Sequence, residues 1–197
     1  MTDSVTAGPM SWQDAEPARL KRDMKDVADF APSLEYQEPV APDGGGFPHG
    51  GWFGELPIWP FERPSPEGLK ELVGTIGLTV AVVYSAAHPM VAPTVHPLSV
   101  QPTVHEESRS TWHVAPGGSL CLLQSDGGWR PEASITELLA KAVGWNIEYV
   151  LMKHGAIQEM SVRGIVTDTS FDDLITKYSR TNGVKEAPDT EDPIVQN

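Results

Sequence analysis

The chain has 197 residues, of which 40% are hydrophobic, and its formal net charge is −13. This length is enough for one domain with a sizeable core, and the composition excludes a largely disordered chain. The negative charge disfavours nucleic acid as a partner, because phosphate groups would be repelled, and it favours a basic partner surface.

Two features of the sequence indicate the cellular compartment, namely the single cysteine, Cys121, and the first four residues. One cysteine cannot form an internal disulfide, which is typical of a reducing cytoplasm. Residues 1–4 lack the basic start and apolar run of a secretion signal. The uncharged segment 73–87 contains Gly and Thr and is shorter than the ~20 apolar residues of a membrane helix, so it indicates a buried strand. We therefore expect a cytoplasmic protein that does not insert into a membrane.

The first half of the chain predicts one helix and then strands. Residues 1–11 indicate a flexible start, and 12–30 predict a helix with one apolar stripe. The stripe consists of Leu20, Met24, Val27 and Phe30. Glycine and proline make 39–51 a loop or a wide hairpin turn. Residues 52–59 and 71–84 have the bulky and β-branched composition of strands.

The next part of the chain is irregular and leads to a second long helix. Two prolines make residues 88–95 an extended connector, and 94–101 predict an edge strand. Residues 105–111 are polar and indicate a loop. Ser134 to Glu137 fits a capping box that opens a helix, and Gly155 is expected to end it.

The end of the chain is polar and acidic. Residues 170–178 predict a short helix, and 179–197 predict a disordered acidic tail. We expect one domain over 12–178. Its fold class is α+β, with a helix, several strands, an irregular cysteine-bearing stretch and a second helix in that order.

Cys121 lies in the segment Gly118-Ser119-Leu120-Cys121-Leu122, which precedes Trp129-Arg130-Pro131. A lone cysteine between leucines is more often a small buried hydrophobe than a nucleophile. The glycines upstream suit an exposed nucleophile and an ordinary turn equally well. The flanking motifs therefore carry more weight than the cysteine itself.

The order of these motifs resembles the ubiquitin-conjugating enzyme family. In that family a Tyr-Pro-x-x-Pro-Pro-x-Val connector precedes the active site, and residues 88–95 keep its first and last prolines and its valine. The family's Gly-x-(Leu/Ile/Val)-Cys-Leu motif matches 118–122, its Trp-(Ser/Arg)-Pro motif matches 129–131, and a helix follows in both. The resemblance covers residues 12 to about 155 and implies a UBC-like fold. Such a fold would have an N-terminal helix, an antiparallel meander sheet of about four strands, an active-site loop and a central helix, here with a shortened C-terminus.

The chain departs from the family pattern in three places. The His-Pro-Asn tripeptide, whose Asn stabilises an oxyanion, is missing. The gap from Val95 to Cys121 is longer, with an insertion around 105–110. A short tail replaces the two C-terminal helices of the eukaryotic members. These features resemble bacterial members that lie beside cyclic GMP-AMP synthase-like nucleotidyltransferases in anti-phage defence operons.

The resemblance implies acyl transfer through a thioester on Cys121. An activating enzyme that uses ATP would supply the C-terminal glycine of a protein, either a modifier or a nucleotidyltransferase, and the acyl group would pass to a target lysine. A thiolate is nucleophilic enough to need no full triad, but an oxyanion needs donors. The sequence has no Gly-rich nucleotide loop, so adenylation belongs to the activating enzyme and no cofactor is expected.

Candidate site residues surround the nucleophile. His113 is the first choice for the missing tripeptide and His105 the second, and either would orient the approach loop, donate to the oxyanion or only brace the loop. Ser119 is a further oxyanion candidate. Asp126 would receive the lysine or is simply a turn residue. The loop and groove candidates are Gly118, Leu120, Leu122, Asp126, Trp129, Arg130 and Pro131.

Three other classes are less favoured by the sequence. The histidines lack the close pairs of a structural zinc site, so no metal is expected. A Cys–His hydrolase needs the cysteine at a helix N-terminus, and the turn after Cys121 comes too soon for one. In inactive UBC-like binding modules the cysteine is typically replaced. Keeping Cys121 therefore argues for activity, and the missing Asn argues against it.

Overall fold

The computed structural model describes residues 10–41, 46–123, 128–161 and 164–182. This part of the chain is α+β, as the sequence predicts. Its helices are α1 (Trp12–Ala15), α2 (Pro17–Phe30), α3 (Leu69–Val73), α4 (Val104–Glu107), α5 (Ile135–Lys153) and α6 (Ser170–Asn182). Its strands are β1 (Leu34–Gln37), β2 (Gly51–Glu55), β3 (Thr79–Val83) and β4 (Thr94–Pro97), and a 3-10 turn spans Ser110–Trp112.

The four strands form one antiparallel sheet in the order β1-β2-β3-β4, which confirms the predicted meander. Tyr36, Trp52, Val82 and Val95 pair in one row across the sheet. Because side chains alternate along a strand, this row faces the core, where Trp52 is 3% exposed, and Phe53 faces away with 46% exposed. The sheet therefore has one covered face and one open face.

The predicted strand over 71–84 is correct only from Thr79 onward. Its first residues belong to helix α3, which ends at Gly74 with a φ of 86°. The Gly77 N–H then donates to the Glu55 side chain at 2.8 Å, so the chain turns before it enters the sheet. Two glycines near the middle of the apolar run allow this change of direction.

The predicted helix over 12–30 is present, but it is broken at Glu16. Of its predicted stripe, Val27 is buried and Leu20 and Phe30 pack against the core, but charged residues share the buried face. Pro17 begins α2, a position where its missing N–H costs nothing. The buried residues of α2 are Arg19, Asp23 and Val27, whereas Met24 is 44% exposed. Charged groups occupy this face because they find partners inside the protein.

The Arg19 guanidinium joins three parts of the fold. Its Nε donates to His88 Nε2 at 3.0 Å and lies 3.7 Å from the Asp23 carboxylate. Its terminal nitrogens donate to the carbonyls of Pro131 and Ala133, the latter at 2.9 Å. Helix α2, the connector after β3 and the segment before α5 are therefore held together by one buried cation with several acceptors.

Arg19, Asp23 and His88 form a buried cluster, and two aromatic residues connect the sheet to it. Trp52 Nε1 donates to the Tyr84 hydroxyl at 2.9 Å, and that hydroxyl donates to Asp23 at 3.4 Å. Burial raises the pKa of Asp23, and the charge of Arg19 opposes this rise. The buried carboxylate thus depends on the guanidinium beside it.

Helix α5 runs through the middle of the core. Ser134 is its N-cap, as predicted, but the Ser134 hydroxyl accepts from the Thr136 N–H, and the Glu137 N–H donates to the Ser134 carbonyl instead. Every residue of 142–149 is buried, so the helix is covered on all sides there. A Cβ at Gly144 would lie 2.7 Å from Ile165, which explains the glycine at this crossing.

Two further helices complete the fold. The loop predicted over 105–111 is wrong, because α4 and the 3-10 turn occupy it and Thr103 with Glu106 forms a complete capping box. The helix predicted over 170–178 is confirmed as α6, which continues to Asn182. Among the described residues, no helix has both the length and the hydropathy to cross a bilayer.

Replacing Arg19 tests the buried cluster. Arg19→Met leaves a buried carboxylate and several acceptors without their donor, and we expect it to lower the free energy of unfolding by about 3–5 kcal/mol. The matched control is Lys25→Met on the same helix, because the Lys25–Asp29 pair is exposed and contributes about 0.5 kcal/mol or less. Urea unfolding followed by tryptophan fluorescence measures both. Equal losses in the two variants would contradict the central role of Arg19.

His88 gives the cluster a pH dependence. Burial, aided by the charge of Arg19, lowers the pKa of His88 from 6.5 to about 4. Between these values the unfolded chain binds a proton that the folded protein does not, so stability falls as the pH drops from 6.5 to 4, by about 3 kcal/mol in total. His88→Gln keeps an acceptor for Arg19 but does not titrate. As the pH is lowered, the urea midpoint of this variant should therefore fall less than that of the wild-type protein. Parallel curves of midpoint against pH for the two proteins would contradict the assignment of this pH dependence to His88.

Candidate functional site

Cys121 lies at the end of a short β-hairpin that begins at His113. The Cys121 N–H donates to the His113 carbonyl at 2.7 Å, and Val114 pairs with Leu120 at the next position. The Leu120 N–H donates to the Val95 carbonyl at 2.8 Å, which attaches the hairpin to β4. Since Val114 and Leu120 are buried, the alternation of side chains leaves Cys121 exposed.

Two glycines make the turn of this hairpin. Gly117 and Gly118 have φ values of 94° and 82°, which other residues rarely adopt. The Ala115 N–H donates to the Ser119 carbonyl at 2.8 Å, and the Gly118 N–H donates to the Ala115 carbonyl at 2.9 Å. The glycines therefore form an ordinary turn, and that turn is what brings the cysteine to the surface.

Cys121 opens on a cleft of about 720 Å³. The cleft brings together a thiol, an imidazole, a carboxylate and three hydroxyl groups. Its lining residues are Ser110, Thr111, His113, Val114, Cys121, Glu159, Met160 and Ser161. They come from two segments, the 110–121 region and the loop between α5 and α6.

The wall formed by 159–161 is fixed to helix α5 by Glu148, which is 2% exposed. The Glu148 carboxylate accepts bonds from the Ser161 N–H at 2.6 Å, the Ser161 hydroxyl at 3.0 Å and the Ile165 N–H at 3.0 Å. Burial raises the pKa of Glu148, and these donors oppose the rise. The carboxylate thus replaces water as the partner of a loop that has no strand to pair with.

The other wall, residues 104–112, is fixed to α5 through Glu106. The Tyr149 hydroxyl and the Lys153 ammonium donate to its carboxylate at 3.0 and 2.7 Å. Burial would raise the pKa of Glu106, but the bonds from Lys153, Thr103 and Tyr149 outweigh it and the pKa is lowered. Adjacent residues of α5 therefore hold the two walls, one through Glu148 and one through Tyr149.

The two walls also contact each other directly. The Met160 N–H donates to the Thr111 carbonyl at 3.3 Å. Thr111 is two residues before His113, and Met160 follows Glu159, so this bond brings Glu159 near His113 in the cleft. The influence of the Glu159 charge on the imidazole agrees with this arrangement.

The thiol and the imidazole are both neutral in their resting state. Cys121 is exposed as a residue, but the protein around the sulfur partly desolvates it and raises the pKa of its thiol. Burial lowers the pKa of His113, and the charge of Glu159 opposes this effect. The cleft therefore holds a protonated thiol beside an unprotonated base, and it does not hold a preformed thiolate–imidazolium pair.

Of the two predicted histidines, only His113 lines the cleft. His105 is exposed on α4, where its carbonyl accepts a bond from the Ser108 hydroxyl. Ser119 is half-buried in the hairpin, and its carbonyl belongs to the turn. A Cβ at Gly118 would lie 3.8 Å from the Glu107 carboxylate, so this glycine faces α4.

The residues after the cysteine serve the fold. Trp129 Nε1 donates to the Pro89 carbonyl at 2.8 Å, and the Pro131 carbonyl accepts from Arg19. Arg130 is exposed. Leu120 and Leu122 pack into or against the core. Asp126 lies in residues 124–127, outside the part of the chain that the structure describes.

Sequence reasoning missed six of the cleft residues, namely Ser110, Thr111, Val114, Glu159, Met160 and Ser161. One signal was available, because Thr103-x-x-Glu106 has the spacing of a capping box and would have indicated helix α4. Nothing local marks Glu159, which reaches the cleft only through contacts between distant segments.

No protein-family model matches this chain, and no curated protein matches it significantly. In the described residues, no group of three or more His, Cys, Asp or Glu side chains is arranged to hold a metal ion. The cleft itself offers thiol, imidazole, carboxylate and hydroxyl groups.

Replacing Glu148 tests the wall that it holds. In Glu148→Gln one oxygen becomes an NH₂ group that cannot accept, so we expect a loss of about 2 kcal/mol and faster hydrogen exchange at the Ser161 and Ile165 amides. Glu137→Gln, on an exposed position of the same helix, is the control and should change stability by a few tenths of a kcal/mol, roughly. Unchanged exchange at both amides would show that the loop does not depend on Glu148.

Proposed function

We propose that this protein carries an acyl group as a thioester on Cys121 and transfers it to a lysine amine, in the manner of a ubiquitin-conjugating enzyme. The observation that supports this best is the cleft, in which an exposed thiol lies beside an unprotonated imidazole and a carboxylate. Acyl transfer needs a nucleophilic leaving group and a means of removing protons from the amine, and both are present there.

The arrangement of the fold supports the same proposal. A leading helix, a four-stranded antiparallel meander, a cysteine-bearing hairpin, the Trp-x-Pro segment and a buried helix follow one another along the chain. The family resemblance implies this order. We take a UBC-like architecture as part of the proposal, with 88–95 and 129–131 packed against each other through Trp129 and Pro89.

The state of the thiol favours transfer over spontaneous reaction. A raised pKa keeps Cys121 protonated near neutral pH, so it is a weak nucleophile until a donor thioester is held beside it. The reaction from thioester to amide is downhill, and the protein has only to orient the reactants and move protons. The donor in this proposal is a protein ending in glycine, delivered by an activating enzyme that spends ATP.

The shape and charge of the cleft suit these reactants. Small hydroxyl side chains at Ser110, Thr111 and Ser161 leave room for a glycine tail and offer hydrogen bonds to it. Glu159 supplies negative charge that attracts the ammonium group of a lysine, and the net charge of −13 acts in the same direction.

A chemical donor tests the proposal without the activating enzyme. The full-length protein is mixed with a fluorescent peptide that ends in Gly-Gly as a mercaptoethanesulfonate thioester, and intact mass is recorded before and after lysine is added. We expect one acyl group on Cys121, released by dithiothreitol, and none in Cys121→Ala. Transfer to lysine should exceed that of a synthetic Gly-Ser-Leu-Cys-Leu-Leu thioester by roughly 10²-fold or more.

The same assay separates the competing functions. An inactive binding module would transfer its acyl group no faster than the synthetic peptide. A Cys–His hydrolase, which the neighbouring imidazole and carboxylate also suggest, would release mainly the free peptide acid. Acylation that persists in Cys121→Ala would rule out the proposed nucleophile.

A further inference from the structure

We propose that His113, supported by the Glu159 carboxylate, is the general base that deprotonates the acceptor amine. This inference rests on the proposed function, because it needs an acyl group on Cys121. It assigns His113 a different role from loop orientation or oxyanion donation. It also introduces Glu159, which no sequence motif marks, as part of the transfer machinery.

The backbone of His113 is held in an unusual conformation. His113 has a φ of 50° and is the one non-glycine residue with positive φ in the described part of the chain. Its N–H donates to the Ser110 carbonyl at 3.1 Å, and its carbonyl accepts from Cys121 at 2.7 Å. A strained conformation of this kind persists where the surroundings enforce it, commonly at functional sites. His113 lines the same cleft as Cys121.

Glu159 is held near the imidazole by the two residues that follow it. The residue after it, Met160, is bonded to the Thr111 carbonyl, and Ser161 is locked to Glu148 on α5. Its negative charge stabilises a protonated imidazole and raises the pKa of His113 against the effect of burial. The carboxylate thus helps the imidazole to accept a proton, while burial still lowers the pKa of His113 overall.

The other titratable and charged groups around His113 come from four segments. Cys121 faces it across the hairpin, Glu159 lies on the loop after α5, and Glu107 of α4 lies by the turn at Gly118. Arg109 precedes the 3-10 turn that leads into His113. Of these, only Glu159 has a charge effect on the imidazole that contributes to its pKa.

The bonds and protons of the proposed transfer step balance. His113 takes one proton from the lysine ammonium, and the neutral amine attacks the thioester carbonyl. The C–N bond forms, the C–S bond breaks, and the sulfur leaves as a thiolate. The second N–H proton neutralises this thiolate, whose raised pKa makes it a ready acceptor, and His113 returns its own proton to water.

The test compares two acceptors in single turnovers of the acylated full-length protein. Lysine is an ammonium ion near neutral pH, whereas hydroxylamine is already neutral and needs no initial deprotonation. We expect His113→Ala to slow lysine transfer by roughly 10²-fold and to slow hydroxylamine transfer far less. The slowing of lysine transfer in His113→Ala should become smaller at high pH, where the amine is already neutral. His105→Ala is the matched control and should match the wild-type rate with both acceptors.

Glu159→Gln provides an independent readout. Removing the carboxylate should lower the pKa of His113 further, so the acid limb of the lysine-transfer profile should move to lower pH while the plateau rate falls by roughly 10-fold. If the acid limb of the profile does not move in Glu159→Gln, Glu159 does not support His113 in the transfer step.

The outcomes separate this inference from the proposed function. A wild-type protein that is not acylated, or that transfers no faster than the synthetic peptide thioester, defeats the function and the inference together. If His113→Ala is acylated normally but transfers to lysine and to hydroxylamine are slowed equally, His113 only braces the loop. Wild-type lysine rates in His113→Ala would overturn the general-base role and leave the thioester function standing.

Discussion

A single buried cation, the guanidinium of Arg19, is the interaction on which the arrangement of this protein depends. It bonds His88 and the carbonyls of Pro131 and Ala133, and it lies beside Asp23. His88, Pro131 and Ala133 each lie more than sixty positions from Arg19 along the chain. A hydrophobic contact between the same segments would tolerate sliding, whereas a planar donor with several fixed acceptors sets their relative positions.

The position of the candidate site follows from helix α5. Arg19 fixes the segment that leads into the N-terminus of this helix. Because α5 is buried on all sides at 142–149, it can offer polar groups in two directions without exposing them to water. Glu148 holds the loop that carries Glu159, and Tyr149 reaches the Glu106 carboxylate beneath the opposite wall. The cleft beside Cys121 is thus a consequence of two buried carboxylates that each have enough donors to stay paired.

The hydrogen-bonding and electrostatic character of this cleft explains why it suits transfer. Burial keeps both the thiol of Cys121 and the imidazole of His113 uncharged at rest, and Glu159 is the nearby charge that favours a protonated imidazole. A site built this way has little reactivity until an activated acyl group and an amine arrive together. Proton movement then depends on groups that come from opposite walls.

The residues by themselves determined the parts of this protein that rest on local patterns. Alternation and β-branching predicted strands, Ser134 predicted the start of α5, and the glycines before Cys121 were compatible with an exposed nucleophile and with a turn. The tertiary structure alone decided that α2 buries Arg19 and Asp23 beside Val27 of its apolar stripe, because the value of a buried charge depends on partners far away in sequence. It alone brought Glu159 to His113, since side chains from distant segments meet only after the backbone has folded.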